Sequence, residues 1–309
     1  MDTVQLKKIL NPFPTEYSAT SGQQQPLKSI ESPTTLPAES NADLQVIRAN
    51  LKAYEQRDVE IEKGDTFLAK GDIDTAIACY TAAIRLDPKS IDAFYKRGTC
   101  FSLKGNIDGE MADYAYILQL DATNTATFNR RGMAFANMNA FDRAISNYSE
   151  AIRINPSFAE AYNNRALAYA NQGQIEKSIV DLTQAIKVDA ESTNTYFNRA
   201  VMFNNSGQFD EAIADYTETI RIDDQHEMAY INRGEIHIGQ KRFAAAVADY
   251  TQAISINSES AIAYYQRGLA HRALGNEDDA LSDYSTAIRL NPNKSNTASV
   301  QQASFQVKQ

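Results

Sequence analysis

Six arginines recur at an interval of 34 residues: Arg97, Arg131, Arg165, Arg199, Arg233 and Arg267. Sixteen residues after each stands an acid or an amide, namely Asp113, Asn147, Asp181, Asp215, Asp249 and Asp283. Two such columns could line a nucleic-acid surface or neutralise one another. Complementary columns cancel each other's field, so the spacing predicts a ladder of internal ion pairs and no nucleic-acid partner. His237 and His271 are also 34 residues apart, but no further ligand recurs beside them, and they read as core histidines with no metal. Cys79 and Cys100 read as small hydrophobes on helices. No phosphate-cradling Gly loop, nucleophile elbow or paired nucleophile and base stands in a motif context, so neither an enzyme nor a cofactor is expected. One column remains, and it is made of amides: Asn164, Asn198, Asn232 and Gln266. An amide offers both a donor and an acceptor. A row of them at a fixed interval can pair with the backbone of an extended peptide without reading its side chains.

The elements that must carry these columns are written in the same interval. Seven frames of 34 residues follow one another without insertion: 57–90, 91–124, 125–158, 159–192, 193–226, 227–260 and 261–294. Within a frame, positions 4, 8 and 11 are aromatic, small and aromatic, as in Phe94, Gly98 and Phe101. Positions 20, 24 and 27 repeat that spacing, as in Ala212, Tyr216 and Thr219. Both triplets fall at i, i+4 and i+7, the stripe of an amphipathic helix. Between them the turn carries Gly71, Gly105, Gly173, Gly207 and Gly275, where a left-handed residue is needed; Asn139 and Lys241 stand there in the third and sixth frames. Lys suits that conformation poorly, so its turn is expected to be the most mobile. In the second frame Glu110 replaces the small residue at position 20 and should crowd the helix contact. A single hairpin of this kind cannot bury its own stripe, so its stability must come from stacking. The bulk composition agrees: 43% hydrophobic residues supply a core, and only 13 Gly and 8 Pro in 309 residues argue against many short strands. A formal charge of −9 also weighs against general nucleic-acid binding.

Period and signature residues together resemble the tetratricopeptide repeat (TPR) family. The resemblance implies an all-α, right-handed superhelical solenoid of helix hairpins, with a concave groove lined by the first helix of each repeat. It also implies a non-catalytic scaffold or adaptor holding an extended segment of a partner protein. In peptide-binding members of the family, Asn at position 6 grips the ligand backbone, which singles out Asn164, Asn198, Asn232 and Gln266. Asn163, Phe197, Ile231 and Tyr265 are expected beside them as groove-facing neighbours, with Lys96 and Arg130 relieving the acidic stretch of Asp58, Glu62, Asp65 and Asp92. The family's clamp for chaperone C-termini needs Lys at position 5, and no repeat here has it.

Outside the array, residues 1–41 are rich in Pro, Ser, Thr and Gln and read as disordered. A helix over 42–56 is expected to cover the first repeat, and residues 295–309 form a polar tail. That tail is too poor in apolar residues to seal the last repeat. The alternative function is therefore a self-assembling structural or assembly-chaperone protein, a homodimer meeting through Leu281, Tyr284 and Ile288. No secretory signal or membrane span is read, which makes the cytoplasm the expected location, with export through an unconventional N-terminal signal left open.

Overall fold

The computed structural model of the chain describes residues 41–291. The expected disordered leader (apart from Asn41) and the polar tail lie outside the described residues. Every described element is an α-helix. The chain is all-α, and two compact units divide it after Ile154.

The N-terminal unit contains α1 (Asn41–Ala69), α2 (Ile73–Leu86), α3 (Ile91–Leu103), α4 (Ile107–Leu120), α5 (Thr125–Asn137) and α6 (Phe141–Ile154). The C-terminal unit contains α7 (Ala159–Asn171), α8 (Ile175–Val188), α9 (Thr193–Asn205), α10 (Phe209–Ile222), α11 (Glu227–Gly239), α12 (Phe243–Ile256), α13 (Ala261–Ala273) and α14 (Glu277–Leu290). Odd and even helices pair as hairpins, and within each unit every hairpin packs on the next.

Local chemistry sets the helix ends. Asp72, Asn106 and Asn124 accept hydrogen bonds from the amides of Thr75, Gly109 and Thr127 at 3.0–3.1 Å, satisfying donors that the first turn leaves open. All seven hairpin turns use a left-handed residue, five of them glycines, with Asn139 at φ 56° and Lys241 at φ 59°. Lys241 thus takes a conformation that costs an L-residue about 1 kcal/mol.

Inside each hairpin the position-24 ring lies over the small residue at position 8. A Cβ added to Gly132 would meet the Tyr148 ring at 2.5 Å, so this approach needs glycine. Where the ring is replaced by Leu182, the facing residue is Ala166, and both are fully buried. Glu110 is accommodated without breaking α4: it is 5% exposed, and its carboxyl meets Ser102 and the charge of Arg130. Burial nevertheless raises its pKa, which those two neighbours oppose.

Two expectations change here. The helix over 42–56 is not a separate cover, because no Gly or Pro interrupts residues 41–63 and the backbone runs unbroken through Ala69. Leu44, Val46, Ile47, Leu51 and Tyr54 on it are 38–60% exposed. Tyr284 is not a surface residue either. Its ring lies over Gly268, as its counterparts do in other hairpins, and it is 6% exposed, while Leu281 and Ile288 are exposed.

Candidate peptide-binding face

The arginine column is an internal ladder. Arg97, Arg165, Arg199, Arg233 and Arg267 each grip the aspartate 16 residues on with two hydrogen bonds of 2.7–3.0 Å. Each guanidinium also lies over the position-4 ring of its own helix, 5.4–5.8 Å from the centroid. The partner carboxylates are almost fully buried, so these pairs tie the two helices of a hairpin together. In the third repeat, Arg131 donates to the neutral amide of Asn147 at 2.7 Å, and desolvation lowers its pKa with no facing charge.

The amide column lies on the first helices of the C-terminal unit, on α7, α9, α11 and α13. Its members are half-buried and engage neighbours. Asn198 Nδ2 donates to Asn163 Oδ1 at 3.0 Å, across two repeats. Asn232 Nδ2 donates to the Tyr216 hydroxyl at 3.2 Å, and Gln266 Nε2 to Glu235 Oε1 at 3.2 Å. One N–H of Asn198, Asn232 and Gln266 is therefore engaged, which fixes the plane of each of these three side chains. Burial pushes the Tyr216 hydroxyl up to about 12, so it keeps its proton at neutral pH and can donate while accepting from Asn232.

Apolar side chains flank the amides. Phe197 stands 5.7 Å from the Tyr216 ring and 4.7 Å from the His226 ring, and Tyr265 stands 5.7 Å from Tyr284; both remain partly accessible. Ile231 does not belong to this surface. It is 1% exposed and packed in one core cluster with Tyr250 and Ala246.

On the N-terminal unit the same face is charged. Lys96 Nζ contacts both oxygens of Asp65 at 2.7–2.8 Å and lies 4.0 Å from Asp92. Desolvation raises the Asp92 pKa; Asp65 and Asp58 add to the shift, while Lys96 and Arg57 oppose it. Arg57 itself bridges Asp58 and Asp87. Arg130 Nε donates to the Tyr95 hydroxyl at 2.9 Å, with its guanidinium over that ring. Lys96 and Arg130 are thus each held by the preceding repeat, and the predicted acidic stretch is largely neutralised from within.

Among the described residues no group of three His, Cys, Asp or Glu could hold a metal ion, and no helix is long and apolar enough to cross a membrane. His237 is a core residue, but an unsatisfied one: its Nδ1 has no hydrogen-bond partner, and burial lowers its pKa despite Asp249 at 3.8 Å. Burial pushes the Cys100 thiol up to about 12, which leaves it no nucleophile.

The sequence did not reveal the hydroxyl contribution to this face. Its signal was present: six of seven repeats carry Tyr rather than Phe at position 24, and a buried phenol needs a partner. Tyr80 finds Asp65 at 2.8 Å and Tyr216 finds Asn232, whereas the hydroxyls of Tyr250 and Tyr284 have no partner.

Comparison with known proteins agrees with this architecture. The family described as "TPR repeat" matches residues 64–105, 132–173 and 234–275. Two descriptions of the tetratricopeptide repeat match 159–192 with 261–294, and 193–226. Among curated proteins the comparison found no match. Among solved structures, a tetratricopeptide repeat protein from Parabacteroides merdae superposes with a TM-score of 0.56 at 20% identity, covering 81% of this chain and 97% of that one. YrrB, described as a TPR protein with an unusual peptide-binding site, gives 0.55 at 14% identity over 62% of this chain and 97% of its own. MamA gives 0.52 at 21% identity over 56% of this chain and 94% of its own. At these identities the likeness concerns the fold.

Proposed function

The chain belongs to the tetratricopeptide repeat family, and we propose that it acts there as a non-catalytic scaffold holding an extended partner segment on its C-terminal unit. The observation that carries this reading is the run of oriented amides, Asn198 on Asn163, Asn232 on Tyr216 and Gln266 on Glu235, at one interval along successive first helices. Amides at that interval match the repeating N–H and C=O groups of an extended chain, and Phe197 and Tyr265 offer apolar contacts between them. YrrB, of the same fold, is described as binding peptide, which is consistent with this use. The N-terminal unit serves the array as a charged, self-neutralised support.

The test is a peptide array and pull-down comparing wild type with a variant carrying Asn164→Ala, Asn198→Ala and Asn232→Ala together. Asn198→Ala alone should weaken binding of a captured peptide by about 1–3 kcal/mol, because a desolvated backbone group loses its partner. Lys96→Ala should leave it unchanged. Equal affinity of the triple variant and wild type removes the reading.

A further inference from the structure

Most hairpin junctions within the units follow one pattern, readable from the repeat positions; the junction of the second and third repeats departs from it, with Ala115 at position 25 and Met138 at position 14. Aliphatic side chains at positions 21 and 28 of one repeat pack on positions 3 and 10 of the next. Ile77 and Ile84 lie on Ala93 and Cys100, Ile213 and Ile220 on Ala229 and Ile236, and Val247 and Ile254 on Ala263 and Ala270. The position-25 hydroxyl accepts from the position-7 arginine of the next repeat: Thr81 from Arg97 at 3.2 Å, Thr183 from Arg199 at 3.1 Å, Thr217 from Arg233 at 2.9 Å and Thr251 from Arg267 at 3.1 Å. An acid at position 18 meets position 14 of the next repeat, as in Asp74 with Lys104 and Asp210 with Gln240 at 3.5 Å.

Two faces among the described residues carry half of this pattern with nothing opposite. On α1, positions 3 and 10 are Val59 and Thr66, both exposed, where the corresponding residues of the second, sixth and seventh repeats are at most 5% exposed. Beside them lies an open groove of about 740 Å3. Its lining includes Val59, Glu60 and Lys63 of α1 and Ala82, Arg85 and Leu86 of α2. On α14, positions 21 and 28 are Leu281 and Ile288, also exposed.

We infer that these faces are the two halves of one junction, so that α14 of one copy of this chain seats in the α1/α2 groove of a second copy, head to tail. The remaining contacts match in register. Asp278, at position 18, would face Lys70, at position 14. Ser285, at position 25, would face Lys63, at position 7. Ser285 already donates to the Leu281 carbonyl at 2.8 Å, as Thr81, Thr217 and Thr251 donate to theirs at 2.7 Å, so its lone pairs are set for the same acceptance. Charge favours the same pairing modestly: the first turn of α14 carries Glu277, Asp278 and Asp279, and the groove presents Lys52, Lys63 and Arg85 beside Glu55 and Glu60. Such a contact joins unlike surfaces, so it propagates from copy to copy instead of closing as a symmetric pair.

The test uses the full chain in sedimentation velocity over a concentration series. Wild type should grow beyond a dimer as concentration rises. Val59→Glu and Leu281→Glu alter exposed residues, so circular dichroism should show intact helices while each variant alone associates at least about tenfold more weakly. Mixed in equal amounts, they should form a 1:1 pair and nothing larger, since one retains its head and the other its tail. Lys70→Asp should weaken association, and adding Asp278→Lys should restore it. The inference is overturned by a wild type that stays monomeric at high micromolar concentration, as it would if residues 292–309 covered α14. It is equally overturned by a Val59→Glu variant that pairs as wild type does, the signature of tail-to-tail contact.

Discussion

The two compact units share one 34-residue frame and differ in what they place on the same helix face. In the N-terminal unit that face holds ions that answer one another: Lys96 with Asp65, Arg57 with Asp58 and Asp87, and Arg130 against Tyr95 and the buried Glu110. In the C-terminal unit it holds the amides of Asn198, Asn232 and Gln266, each bound through one N–H. An ion pair satisfies both of its members and offers a third party little, while a half-engaged amide still has a donor and an acceptor in place. The frame therefore fixes where side chains stand, and residue type decides whether the polar groups of the face answer one another or keep hydrogen-bonding capacity.

The ladder beneath that face sharpens the contrast. In the C-terminal unit every rung is a buried Arg–Asp pair, whereas the third repeat of the N-terminal unit has Arg131 on neutral Asn147. Arg199→Met should cost about 3–5 kcal/mol, because Asp215 is left charged in a site with 7% side-chain exposure. Arg131→Met strands only an amide and should cost about 1–2 kcal/mol. The chain has no Trp, so far-UV circular dichroism in urea is the appropriate readout. Equal losses would mean that the rungs act by packing alone.

Much of this was legible beforehand. The interval of 34 predicted the hairpins, all seven left-handed turns and the five charged rungs, because each rests on contacts inside one frame. What escaped depends on how neighbouring frames pack. Ile231 and Phe197 occupy the same frame position, yet one is buried and the other reaches the surface. Tyr284 looked like an open-end residue until its ring was seen to lie over Gly268. The unbroken α1 escaped for a related reason: the frame starts at Arg57, and a helix has no cause to respect that boundary without a breaker.

Among the titratable groups whose burial is unfavourable, Glu110 in the N-terminal unit and His237 in the C-terminal unit should respond to pH in opposite senses. For Glu110 the folded pKa is raised by burial. Its protonated form therefore favours the fold, and stability should fall as pH rises from the ordinary carboxylate range through the raised value. For His237 the folded pKa is lowered by burial. The neutral ring favours the fold, and stability should fall as pH drops below the usual histidine value near 6.5. Glu110→Ala, which restores the small residue of other repeats, should stabilise the neutral-pH protein by about 1 kcal/mol and flatten the rise-side loss. His237→Phe, the residue at this position in four repeats, should do the same on the acid side. Melting temperatures from pH 4 to 8 decide it, and profiles parallel to wild type would show that neither group titrates within the fold.

The smallest difference lies in the turns. Asn139 in the N-terminal unit and Lys241 in the C-terminal unit both adopt φ near +60°, where the other five turns use glycine. In that conformation Cβ crowds the following carbonyl, a cost that Asn partly offsets through its short polar side chain and Lys does not. Glycine removes the crowding but gains freedom in the unfolded chain, which subtracts from the benefit. The balance should favour Lys241→Gly by about 0.5–1 kcal/mol and leave Asn139→Gly near zero. Lys241 hydrogen-bonds through its amide to Ile238, and the turn's next amide, of Arg242, reaches His237, both backbone contacts that glycine preserves. Hydrogen exchange at Lys241 and Arg242 should slow in the glycine variant if strain is what loosens this turn. Unchanged exchange together with an unchanged midpoint would mean that the lysine's conformation is cost-free in its setting, and that the two units do not differ at their turns.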